Sequence, residues 1–128
     1  MDPKQLRFTP THEWVYLEGD VATVGISKFA VDQLTDLTNI DLPPVGTRLA
    51  AGKSFGAVDS VKAVSDLYMP VGGEVVAVNS DVVDNVQLLA DEPYGTGWLI
   101  KVRADDPSAL SQLLDYDAYE KQVAEESH

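Results

Sequence analysis

The chain contains no cysteine. A disulfide framework, a thiolate nucleophile and a cysteine-based metal site are therefore excluded. Histidine is scarce as well, with only His12 and His128, so a histidine-rich metal site lacks ligands. Basic residues number nine against 21 acidic ones, giving a formal net charge of −12. Such a surface repels nucleic-acid phosphates and anionic membranes and attracts basic patches on protein partners. Plain solubility accounts for the charge equally well. No apolar run approaches the length of a membrane span. The opening Met1-Asp2-Pro3-Lys4-Gln5 has neither a signal-peptide nor a transit-peptide pattern, so a cytoplasmic location is expected.

What is present is an ordinary globular composition, 45% hydrophobic over 128 residues, which suits one domain spanning 1–128. Trp14 to Glu18 and Val21 to Ile26 are rich in β-branched and aromatic residues, and Gly19-Asp20 between them predicts a hairpin. Ser27 is a helix cap, and Phe29, Ala30 and Leu34 can share one apolar face of the helix that follows. Further strands are expected at Leu37 to Leu42, Ser54 to Ser60, Val64 to Met69, Glu74 to Val78 and Trp98 to Val102. Asp81 to Leu89 reads as irregular or briefly helical. Asp106-Pro107 then starts a helix with Leu110, Leu113 and Leu114 in one stripe, and a last helix covers Tyr116 to Glu125. Short strands followed by helices favour a small barrel or sandwich over a doubly wound fold.

Catalytic patterns are weak. Gly52-Lys53-Ser54 lacks the upstream glycine of a phosphate loop and precedes a strand. A serine–histidine–acid set would depend on His12, and no serine sits in a nucleophile elbow. No basic-aromatic stripe points to nucleic acid. One position stands apart: Lys62, at the tip of the expected hairpin, projects its amine away from the fold. A surface lysine placed for solubility and a lysine placed for modification both fit that position.

The neighbours of Lys62 resemble a known pattern. Asp59-Ser60-Val61-Lys62-Ala63, then Ser65-Asp66, Tyr68, Pro70 and Gly73-Glu74-Val75, are similar to the lipoyl-attachment region of glycine cleavage system H proteins. Thr11-His12-Glu13-Trp14, Val24-Gly25-Ile26, Leu42-Pro43 with Val45-Gly46, and Pro93-Tyr94-Gly95-Thr96-Gly97-Trp98-Leu99 resemble further landmarks of the family in the same order. The likeness spans a core of about 6–123.

The resemblance implies a mainly β, lipoyl-type flattened barrel-sandwich of two small antiparallel sheets, with N-terminal additions and C-terminal helices. It implies a carrier, not an enzyme, bearing lipoic acid in amide linkage on Lys62. The dithiolane of that group performs the covalent chemistry. The implied cycle visits a pyridoxal-phosphate glycine decarboxylase, which loads an aminomethyl group, an aminomethyltransferase, which unloads it, and dihydrolipoamide dehydrogenase, which reoxidises the arm. Glu13, Asp66 and Thr11 fall at positions implied to line an arm-docking cleft, where carboxylates would favour the ammonium form of the cargo. Asp59, Val61 and Ala63 are implied to face a lipoate ligase or octanoyltransferase. No metal is expected, and a monomer is expected.

Three other readings use some of the same residues. A lipoyl relay protein supplying 2-oxoacid dehydrogenase complexes would carry the same lysine. A biotinyl carrier would flank it with methionines, where Val61 and Ala63 stand here. A small enzyme would need a nucleophile or metal set that the chain lacks. The chain also departs from the family at Gln33, where some members have histidine, at Thr35 in place of glycine, at the polar pair Thr38-Asn39, and at Gly72 where serine or alanine is commoner. Trp14, Tyr94 and Trp98 are read as packing residues.

Overall fold

The computed structural model describes residues 3–34 and 36–126. Thr35 and His128, singled out in the sequence, lie outside the described residues. A six-stranded antiparallel sheet runs in the order β1 (Arg7–Phe8), β2 (Glu13–Glu18), β3 (Val21–Ile26), β9 (Ile100–Ala104), β8 (Gly73–Val78) and β5 (Arg48–Leu49). A second sheet has three strands, β4 (Leu37–Asp41), β6 (Ser54–Ser60) and β7 (Val64–Tyr68), with β6 in the middle. The helices are α1 (Lys28–Leu34), α2 (Ser80–Asp84), α3 (Gln87–Asp91) and α4 (Tyr116–Glu126). The mainly β, two-sheet expectation holds, but the sheets are unequal and form no closed barrel.

Strand β2 explains why two cores exist. Successive side chains on a strand point to opposite faces. Val15 joins the main core with Val24 and Ile26 of β3, Ile100 and Val102 of β9, and Ile40, Val58 and Leu67 of the smaller sheet. Trp14 instead enters a second cluster with Leu6, Phe8 and Tyr119, against which Tyr94, Trp98 and Leu114 pack. The Trp14 indole N–H donates to the Pro93 carbonyl at 2.8 Å. Gly25 pairs directly with Trp14, and a methyl group there would lie 2.5 Å from the indole. Glycine is required at that site by close approach alone. The packing reading of Trp14, Tyr94 and Trp98 holds.

Several local expectations need correction. The stretch after Asp106 is a 3-10 helix, Pro107–Gln112, although Asp106 does cap it by accepting from the Ser108 amide at 3.2 Å. Its three leucines do not form one stripe: Leu110 and Leu113 pack on the main core, and Leu114 turns to the second cluster. Leu114 exchanges two backbone bonds with Phe8, at 2.8 and 2.9 Å, and so ties the C-terminal segment to β1. Trp98 precedes the last strand, which begins at Ile100. The two-residue strands β1 and β5 are too short to leave an alternation signal. In α1 the buried residue is Val31; Phe29, Ala30 and Leu34 share a face, but it borders a cleft. Thr38 and Asn39 are exposed at a register shift between β4 and β6, which suits their polarity.

Candidate functional site

Strands β6 and β7 meet in a tight turn. The Ser60 amide donates to the Ala63 carbonyl at 2.8 Å, and the Ala63 amide donates to Ser60 Oγ at 3.1 Å. Val61 and Lys62 alone form the tip. The Val61 amide donates to the Asp36 carbonyl at 2.9 Å, pinning the tip to the chain just before β4. Lys62 and Ala63 are exposed, and Val61 is 73% exposed. Asp59 lies half-buried one residue before the turn, paired with Asn39 on one side and Val64 on the other. The amine of Lys62 is thus presented on a braced stub and open to another protein's active site.

Glu13 is the opposite case. It is 1% exposed, on the β2 face that also carries the core residue Val15. Its Oε1 accepts hydrogen bonds from Thr9 Oγ1 at 2.7 Å and from Thr11 Oγ1, and the Tyr68 amide donates to Oε2 at 3.4 Å. Burial pushes its carboxyl pKa above the ordinary glutamate value; the two threonine hydroxyls and the Tyr68 amide oppose that rise. Glu13 is therefore not a surface acid, although it stands at the start of β2.

Glu13 forms part of the wall of a cleft of about 370 Å³ between α1, the start of β2 and strands β6 and β7. Thr11 and Asp66 line the same cleft, so the three residues named for an arm-docking surface are brought together. Ile26, Phe29, Ala30, Leu34, Val58 and Leu67 supply apolar wall, and Gln33 lies among them. Sequence reasoning missed Thr9 and Glu126, and it named His12 without placing it at the cleft. His12 and Glu126 line the cleft, and Thr9 braces Glu13 from behind. Thr9 could have been found from the Thr9-x-Thr11-x-Glu13 spacing, which places two hydroxyls in a turn before a buried acid. Glu126 could not, since it arrives from the far end of the chain. Asp59, Val61 and Ala63 do not line the cleft; they surround Lys62 at the turn.

The arrangement combines an exposed lysine amine with a recess whose walls are largely apolar and carry carboxylates, Glu13 buried and Asp66 and Glu126 exposed. That donor set fits a long aliphatic arm ending in a cation. A family model described as glycine cleavage H-protein matches residues 6–126. The chain belongs to the glycine cleavage H-protein family. It is 52% identical over 126 residues to the glycine cleavage system H protein of Microcystis aeruginosa, covering 98% of this chain and 96% of that one. Against the H protein of Carboxydothermus hydrogenoformans the identity is 47% over 124 residues, covering 97% and 95%. The crystal structure of a glycine cleavage system H protein from Mycobacterium marinum superposes with a TM-score of 0.87 at 39% identity, covering 95% of this chain and 98% of that one.

H proteins of this family are carriers without catalytic activity of their own, and they bear a lipoyl group covalently on a lysine. This chain has that role in glycine cleavage. Its lack of cysteine is compatible with sulfur chemistry for that reason: the sulfur comes with the prosthetic group.

Proposed function

We propose that Lys62 is the lysine that carries the lipoyl group in amide linkage, and that Thr11, Glu13 and Asp66 receive the cationic end of the loaded arm. The observation that carries this reading is the exposed two-residue tip at Val61-Lys62, braced by Ser60, Ala63 and Asp36. A stiff stub fixes where the arm begins and leaves its amine open to a modifying enzyme. When attached, the lipoyl group supplies the dithiolane sulfur on which one-carbon cargo travels.

The residues of the chain do the rest. Thr9 and Thr11 hold Glu13 Oε1 by donating to it, which keeps the carboxylate facing the cleft although it is buried. Carboxylates beside an ammonium favour its protonated form. A protonated amine has no lone pair with which to expel sulfur, so holding the proton on nitrogen delays loss of the cargo. The apolar walls formed by Ile26, Phe29 and Leu67 exclude water from the arm. A lipoyl relay would need Lys62 and leave this carboxylate cleft without a task, so the cleft favours glycine cleavage.

The partners that follow are glycine decarboxylase, aminomethyltransferase and dihydrolipoamide dehydrogenase, with lipoate ligase or octanoyltransferase recognising Asp59, Val61 and Ala63. The setting is the cytoplasm, and the working unit is a monomeric single domain, since visits to three enzymes require the hairpin to be open. Among the described residues no helix is long and apolar enough to cross a membrane. The test is intact mass with tandem localisation after treatment with a lipoate ligase, lipoate and ATP. A lipoyl increment on Lys62 is expected. An increment on another lysine, or none, rejects the assignment.

A further inference from the structure

The last turn of α4 brings a third carboxylate to the cleft. Glu126 lines it with Glu13 and Asp66, and its Oε2 lies 3.1 Å from His12 Nε2. His12 is fixed on every side. Its backbone is left-handed, φ 79°, the only such non-glycine residue among those described. Its amide donates to the Thr9 carbonyl at 3.0 Å and its carbonyl accepts from the Ser27 amide at 2.9 Å. The ring stands 5.1 Å from Phe29 and 5.7 Å from Tyr119, edge-on to the latter. Nδ1 is 2.8 Å from Tyr119 Oη, which is 2.5 Å from Ser27 Oγ.

The proton positions follow from these contacts. Burial holds His12 below the ordinary histidine value, with Glu126 pulling the other way, so the ring is neutral near pH 7. A neutral imidazole has one N–H. An ionised Glu126 can only accept, so that proton sits on Nε2. Nδ1 then accepts from Tyr119 Oη, and Tyr119 accepts from Ser27 Oγ. The relay runs one way, from Ser27 through Tyr119 and His12 to Glu126, and each donor is used once. A neutral donor orients a carboxylate without cancelling its charge, as a lysine or arginine would. Neither lysine nor arginine lines the cleft.

We infer that Glu126, set in place by His12, is a third carboxylate for the cationic cargo, so that α4 helps this chain hold a charged arm in preference to an uncharged one. This rests on the docking role given above to the cleft. Glu126 is a specificity residue here and His12 a positioning residue.

The test compares Glu126→Gln, Glu126→Asp and Glu13→Gln in the full lipoylated chain. Each is loaded with glycine by glycine decarboxylase, separated from it, and followed by intact mass for loss of cargo. Glu126→Gln keeps the size and can still accept from His12, so a purely structural role would not move the lifetime. The expected result is a lifetime shortened about twofold to fivefold, the scale of a solvent-accessible charge pair. Glu126→Asp, which restores the charge, should recover most of it. A second readout needs no arm: in the unmodified chain, nitrogen NMR should show the proton of His12 on Nε2, and Glu126→Gln should lower the His12 titration midpoint. An unchanged lifetime in Glu126→Gln, with a shortened one in Glu13→Gln, overturns the assignment and leaves the cleft reading standing. Unchanged lifetimes in both overturn the two together. A His12 midpoint indifferent to Glu126→Gln removes the positioning role.

Discussion

The turn at Lys62 and the corner at Glu13 belong to different sheets and are held in different ways. At the turn the backbone is braced, through Ser60, Ala63 and the Asp36 carbonyl, while the side chain of Lys62 is exposed. At the corner it is the side chain that is fixed: both carboxylate oxygens of Glu13 are engaged and the residue is 1% exposed. A carrier has to present its attachment point to several enzymes and yet shelter what is attached. On the proposed reading the first task falls to an open lysine on a stiff stub. On the same reading the second falls to a carboxylate that Thr9, Thr11 and the Tyr68 amide already hold in place.

The largest expected effect breaks the open side of this comparison. Lys62→Arg keeps the charge and removes the nucleophilic amine, so lipoylation by ligase should be lost completely. Because the side chain is exposed, the unfolding free energy should stay within about 0.5 kcal/mol of wild type. Intact mass and a denaturant titration check both halves. A large loss of stability would show that Lys62 is a structural residue as well.

Next in size is damage to the support behind the corner. Trp14 is fully buried beside Glu13 and donates to Pro93. Trp14→Ala should cost about 3–5 kcal/mol, the range for deleting a buried aromatic side chain. Gly25→Ala, which drives a methyl into the same indole, should cost about 1–3 kcal/mol through overpacking. Chemical denaturation measures both. If Gly25→Ala were neutral, the close approach of Gly25 to Trp14 would not be a constraint on the fold.

These two regions also differ in how well the sequence reveals them. The Lys62 turn is a local feature: two strand-like runs with a short break put the lysine at the tip, and the flanking residues carry the family pattern. The Glu13 corner is assembled from distance. Thr9 and Thr11 precede it by a turn, Tyr68 comes from the other sheet, and His12 and Glu126 meet across 114 positions of chain. The trio Thr11, Glu13 and Asp66 was reached through resemblance, since periodicity does not place Asp66 opposite β2. Even so, Glu13 falls in phase with Val15 on β2, and that alternation implies an inward side chain. The 3-10 helix at Pro107–Gln112 was misread because its leucines suit an α-helical stripe, whereas tertiary contacts send Leu114 to Phe8 and Leu110 to the main core.

A substitution at the corner separates shelter from stability. Burial raises the carboxyl pKa of Glu13 above its unfolded value. The stability linked to such a group is fully present below the unfolded value and is lost as pH rises through the folded value. Ionisation of Glu13 therefore costs the fold stability as pH rises. Glu13→Gln should unfold at the same or a higher temperature than wild type at pH 7.5, with the difference closing as pH falls toward 4. It should also release cargo about threefold to tenfold faster, since one charge-assisted partner is gone. Calorimetry across pH and the mass-based lifetime assay together decide this. A variant that is both less stable and equally retentive would mean that Glu13 is retained for folding.

The smallest effect is expected at the tip itself. Val61 is 73% exposed and Val64 68%, an apolar pair flanking the lysine that contributes little to the core. Water-facing valines at the tip and at the start of β7 gain little for the isolated chain, and on the proposed reading a modifying enzyme covers them. Val61→Ser should change the unfolding free energy by no more than about 0.5 kcal/mol. It should slow lipoylation about twofold to fourfold at subsaturating chain, since covering about one methylene of valine surface is worth about 0.8 kcal/mol at most. The same change in ligase saturation without a change in limiting rate would place the effect in binding. If Val61→Ser is modified as fast as wild type, recognition lies in Asp59 and the backbone of the turn, and the contrast between an open tip and a fixed corner extends to the tip's neighbours as well.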